Sequence, residues 1–133
     1  KDAPEDLSSR FYAATCRAGV ARMQACLGET EPALEECGKV IVFMQETTGD
    51  QPGHLGKAQA YEYLGYAYSA LAASPQASAG TSRERMSTAR EMFRQSQHII
   101  DEARRRDGDL GQNENWARDI AAEIAKCDAA LEK

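Results

Sequence analysis

Four cysteines, Cys16, Cys26, Cys37 and Cys127, are the side chains here best suited to metal or covalent chemistry. A zinc site asks for ligand pairs such as C-x2-C with further Cys or His near them. No C-x2-C occurs, and His54 and His98 both lie far from any cysteine along the chain. Cys16, Cys37 and Cys127 instead fall on apolar helical stripes, as free thiols do when they serve as small buried hydrophobes. Cys26 and Cys37 flank the first helix–helix turn, so a disulfide between them is the competing expectation. His98-x3-Glu102 shares a helix face but has no second Glu-x2-His element beside it, which reads as a surface pair. The acids scatter over polar faces, and no G-x-S-x-G elbow presents a nucleophile. The chemistry expected is therefore recognition, with no catalytic residue, metal or cofactor assigned.

Two groups suit recognition. Residues 81–106 carry seven arginines against four acids, in a chain of net charge −5. Arg83, Arg90, Arg94 and Arg104 fall on an outward face, where they either pair with neighbouring acids or offer a site for an acidic peptide. Tyr61, Tyr63, Tyr66 and Tyr68 alternate within AQAYEYLGYAYSALAA. Tyr61 and Tyr68 go with Leu64 and Leu71 toward a core, leaving Tyr63 and Tyr66 to line a groove.

These residues need helices to position them. The 133 residues are rich in Ala, Arg, Glu and Gln and poor in β-branched and aromatic types, which predicts a single all-α domain. Five helices are expected, as two antiparallel hairpins closed by a C-terminal capping helix. Helix one runs from about Asp6 to Leu27, with a continuous apolar stripe of Tyr12, Cys16, Val20, Met23 and Leu27 joined by Phe11 and several alanines. After Gly28, Thr30 is the expected N-cap of helix two, which carries Leu34, Cys37, Ile41 and Met44 inward. Helix three covers about His54 to Ala73. Residues 74–82 read as a mobile inserted loop, with Thr81-x2-Glu84 as a capping box for helix four. Helix four presents Met86, Ala89, Phe93, Ser96, Ile100 and Ala103 and stops at Asp107-Gly108. Asn113 caps helix five, whose stripe is Trp116, Ile120, Ile124, Cys127 and Leu131. Residues 1–5 read as a linker or frayed end, and the absence of a leader suggests a processed protein or an excised domain. No apolar run approaches the length of a membrane span, and an acidic chain is not expected to bind nucleic acid.

Tyr61-x2-Leu64-Gly65-x2-Tyr68, with Ala89-x3-Phe93 further on, resembles the tetratricopeptide-repeat signature, tyrosine replacing tryptophan. The gap between the halves exceeds the standard repeat by about twelve residues. Helices one and two match less well, with Ala33 at the small-residue position and Cys37 where an aromatic belongs. The stretch from Ala89 through Ser96, with IAAEIAKCDAAL (120–131), is similar to the C-terminal repeat regions of bacterial serine/threonine protein kinases. The kinase's own glycine-rich, His-Arg-Asp and Asp-Phe-Gly motifs are not in this chain.

The resemblance implies a protein- or peptide-binding module whose concave face is built by helices one and three. Arg22, Gln59, Tyr63 and Tyr66 are the side chains expected to bind, and uncovered repeat faces make a homodimer a further expectation. Two rival readings are a disulfide-stabilised extracytoplasmic adaptor or inhibitor, and a small-ligand binder or enzyme. Cytoplasmic and extracytoplasmic settings both stay open.

Overall fold

The computed structural model describes residues 4–47, 54–108 and 114–132, with side chains from Ser8 onward. It is all-helical, with α1 (Pro4–Cys26), α2 (Thr30–Glu46), α3 (Leu55–Ala72), α4 (Ala79–Asp107) and α5 (Glu114–Leu131) in chain order. Asn113 and most of the loop before α3 lie outside the described residues.

Cross-helix contacts fix the directions. Arg17 meets Glu36, and Arg10 stacks over Phe43, so α1 and α2 are antiparallel. Ser82 donates to the carbonyl of Ala72 and Ser96 to that of Ala58, so α3 and α4 are antiparallel too. Arg90 with Asp128 and Arg104 with Glu114 set α5 antiparallel to α4. Along α1 and α3, by contrast, Phe11 packs on Gly56, Gly19 on Tyr63 and Arg22 on Tyr66. Those numbers rise together, so α1 and α3 are parallel and the two hairpins stack side by side, with α5 closing the end.

The core lies where α3 is enclosed. Leu64, Ala58 and Ala67 of α3 meet Phe93, Ile100 and Ala89 of α4, Phe11 and Ala18 of α1, and Ile120 of α5, while Leu71 packs with Ala25 of α1 and Ala33 of α2. Gly65 lets α4 in. A methyl group placed there would stand 2.6 Å from Cε1 of Phe93, a distance that real contacts do not reach. The central glycine and the aromatic of the two signature halves therefore touch, despite the chain between them. Tyr61 is buried and Tyr68 partly so, both against the core.

Several expectations are corrected. The stripe Tyr12, Cys16, Val20, Met23 and Leu27 of α1 faces outward, with Leu27 71% and Tyr12 68% exposed. Of the apolar residues, Phe11 and the alanines Ala14, Ala18, Ala21 and Ala25 are the ones that face inward. Both sets have helical spacing. Small side chains allow α1 to approach its neighbours closely, so the larger stripe is turned out. Pro4 and Glu5, read as linker, belong to α1, where proline at the first positions costs no hydrogen bond. Glu29, not Thr30, occupies the N-cap of α2, and its side chain makes no capping bond.

Residues 74–82 are not a loose loop. Ala77 N–H donates to the Ser74 carbonyl, and 79–82 are already helical. Ser78 takes the cap assigned to Thr81, its Oγ accepting from Thr81 N–H at 3.1 Å. Gly108, at φ 82°, ends α4 as expected. Cys26 and Cys37 form no disulfide. All four cysteines are free, Cys26 being exposed and Cys37 wholly buried. Burial pushes the Cys37 thiol up to about 12, so it stays protonated as a core hydrophobe. Cys127 is likewise buried, while Cys16, expected inside, is exposed.

Candidate functional site: the trough over α3

Among the described residues, no helix covers the face of α3 opposite the core. It forms the floor of an open trough of about 760 Å³, with α1 on one side and α5 on the other. Helical spacing explains which residues reach it. Leu55, Gln59, Glu62, Tyr63 and Tyr66 recur at intervals of three and four, on the side of α3 away from Leu64 and Leu71.

Arg22, Gln59, Tyr63 and Tyr66, the four residues singled out in the sequence, all line this trough. Gln59 and Arg22 are exposed, whereas Tyr63 and Tyr66 are half-buried and packed against the core. The Tyr63 ring lies over Gly19 of α1, 3.5 Å from where a β-carbon would stand. Tyr66 stands edge-on to Phe93 at 5.3 Å between centroids and to Tyr63 at 6.3 Å. The Arg22 guanidinium lies over the Tyr66 ring, 4.3 Å from its centroid, which holds the cation out over the trough.

Glu62, Trp116 and Glu123 complete the lining, and the sequence pointed to none of the three as a binding residue. By periodicity Trp116 belongs to the inner stripe of α5, and Glu62 is one of the acids scattered over polar faces. The one available signal was the Glu62–Tyr66 spacing of four, which puts carboxylate and phenol on one face. Trp116 Nε1 donates to Oε1 of Glu62 at 2.8 Å, and the Tyr66 hydroxyl donates to Oε2 at 3.3 Å. Burial pushes the Glu62 carboxyl above the usual carboxylate range, and the two donors pull it part of the way back. The same carboxylate and burial push the Tyr66 phenol up to about 12, so it remains a donor. Glu62 thus braces α5 against α3, and the trough has a firm aromatic wall before any partner arrives. Lys57, also buried on α3, does not line it.

The arginines of α4 are largely engaged. Arg90 and Arg94 meet Asp128, Arg104 meets Asp101 and Glu114, Arg105 meets Glu102 and Arg106 meets Asp107. Arg85 donates to the Leu71 carbonyl at 3.2 Å. His98 and Glu102 sit 3.9 Å apart on an exposed face. Among the described residues no three His, Cys, Asp or Glu side chains gather as metal ligands do, and no helix is long and apolar enough to cross a membrane. No family model, curated protein or solved structure matches this chain.

Proposed function

We propose that this chain is a tetratricopeptide-like recognition module that takes a segment of a partner protein along the trough over α3. One observation carries the reading: Arg22, Gln59, Tyr63 and Tyr66, drawn from two helices, converge on a single open trough. Its chemistry suits a peptide. Tyrosine and tryptophan give large contact area at low entropic cost, Gln59 offers both a donor and an acceptor to a peptide backbone, and Arg22 is preset on Tyr66 for a carboxylate. Glu123 on the opposite wall favours an amine or guanidinium, so a segment carrying both signs of charge fits best. An open trough with a braced wall favours this over small-molecule binding, which is served by enclosed pockets. The likeness to the C-terminal regions of bacterial serine/threonine kinases gives such a module a natural setting, as a sensor beside a catalytic domain.

Trp116 is the one tryptophan in the chain and lines the trough, so its fluorescence reports occupancy directly. Peptides selected from a random display library against the wild-type chain are expected to shift Trp116 emission. Arg22→Ala combined with Gln59→Ala should weaken them by roughly tenfold to a hundredfold, since a few central contacts dominate binding. Circular dichroism and Tm should stay unchanged, because both residues are exposed. Selected peptides that bind the double variant as tightly as wild type would place recognition elsewhere. Tyr63 and Tyr66 are poorer probes, because their removal also strips packing from Gly19 and Phe93.

A further inference from the structure

Among the described residues, none covers the outer face of α1. Ser9, Tyr12, Ala13, Cys16, Val20 and Met23 lie within an arc of about 100° at 3.6 residues per turn, Leu27 continues the line in the turn after the helix, and none is charged. In a chain that is 28% charged, the stripe stays uncharged along about four turns of surface helix. The large residues are well exposed, Val20 50% and Met23 64%, and they point away from the alanine face that meets the core. From Tyr12 to Met23 the spacing is four, four and three. That repeat nearly matches the turn of a straight helix, so the stripe runs along α1 without drifting around it.

We propose that this stripe is a two-fold interface and that a second copy of the same chain covers it, α1 packing antiparallel on α1. The stripe is self-complementary when reversed. Tyr12 then meets Leu27 of the other copy, the small Cys16 meets the long Met23, and Val20 lies beside the symmetry axis facing its own equivalent. An isologous interface requires this of one surface, that residue i meets j while j meets i. The flanks permit it. On one side Arg17 comes opposite Gln24, and on the other Gly19 and Cys26 bring no charge. The small, exposed Ala13 also lets the backbones approach. The trough lies on the neighbouring side of α1 and stays open, so the dimer presents two troughs and binds a two-site partner by avidity.

The test uses the 133-residue chain in sedimentation velocity across a concentration series. The wild type is expected to move from monomer to dimer. Val20→Glu and Val20→Lys should each raise the dimer Kd by roughly a hundredfold or more, because like charges then face each other at the axis. An equimolar mixture of the two variants should dimerise again, now as a heterodimer. In a Cys16→Ala, Cys26→Ser background, Val20→Cys should cross-link on mild oxidation and Tyr12→Cys should not, since the two copies of position 12 lie at opposite ends of the stripe. A wild type that stays monomeric at every concentration overturns the proposal. So does a dimer indifferent to Val20→Glu, or a charge-swapped mixture that stays monomeric. Circular dichroism of the half-exposed Val20 variants separates loss of pairing from loss of fold.

Discussion

α1 and α4 solve the same packing problem in opposite ways. α4 buries its large residues, Phe93, Ile99 and Ile100, and leaves its outer face to arginines paired with acids. α1 buries alanines behind one phenylalanine and turns Tyr12, Val20, Met23 and Leu27 outward. The difference shows that the direction of an apolar stripe follows from how closely the neighbouring helices approach, and not from which stripe is larger. Where α3 supplies Gly65, α4 can insert a whole ring. Where α1 meets the side of α3 that carries Tyr63, only small residues fit beneath it.

The largest expected effect tests the buried side of this contrast. Phe93→Ala should cost about 3–5 kcal/mol in urea denaturation, as deletions of buried aromatics do. Gly65→Ala should also destabilise, by about 1–3 kcal/mol, although alanine is the better helix former, because its methyl would collide with that ring. An unchanged or raised stability for Gly65→Ala would remove the close approach as the organising contact.

A smaller effect concerns the joint between the two regions. His54 caps α3, its Nδ1 accepting from Gly56 N–H at 3.0 Å, and its ring lies 4.7 Å from that of Phe11 in α1. Nε2 therefore carries the proton of the neutral ring and donates to Ser8 Oγ. Burial, helped by the nearby Arg106 charge, lowers the pKa of His54 below its ordinary 6.5. The unfolded chain takes up the proton first, so His54 contributes stability above pH 6.5 that is lost as pH falls toward the lowered value. Glu62 works in the other direction, because its raised carboxyl favours the protonated folded state. His54→Asn keeps a good capping oxygen and should flatten the Tm-versus-pH curve below pH 6.5. A slope that survives the substitution would assign it to another group.

The smallest effect tests the exposed side. Met23→Ser should change the stability of the dilute monomer by no more than about 0.5 kcal/mol in thermal denaturation. A loss of several kcal/mol would mean that the α1 stripe is core after all.

Much of this was legible in the sequence, and the misses share causes. Helix number, order and most inner faces follow from periodicity and from capping and stopping residues such as Gly108. The orientation of α1 does not, because an alanine stripe and a larger apolar stripe have the same period. Only the distance to the neighbouring helix decides between them. The trough was half legible. Tyr63 and Tyr66 stood out as tyrosines not needed by the packing signature, but Glu62 and Trp116 become wall residues only through a bond between residues 62 and 116, across three helices. The Cys26–Cys37 pairing failed because adjacency along the chain does not set the direction of a side chain. Cys37 points into the core while Cys26 faces solvent.

The hydrogen bonds from α4 to α3 carry a consequence for cooperativity. The carbonyl of Ala72, the last residue of α3, accepts from Ser82 of α4, and that of Leu71 accepts from Arg85 as well as from Ser74 N–H. No glycine closes α3, and no basic residue lies in its own last turn. Part of its terminus is finished by another element, so the docking of α4 completes the last turn of α3. The two helices then open and close as one unit in native-state hydrogen exchange, with the last-turn amides of α3 as slow as those around Phe93, where an isolated helix end would fray.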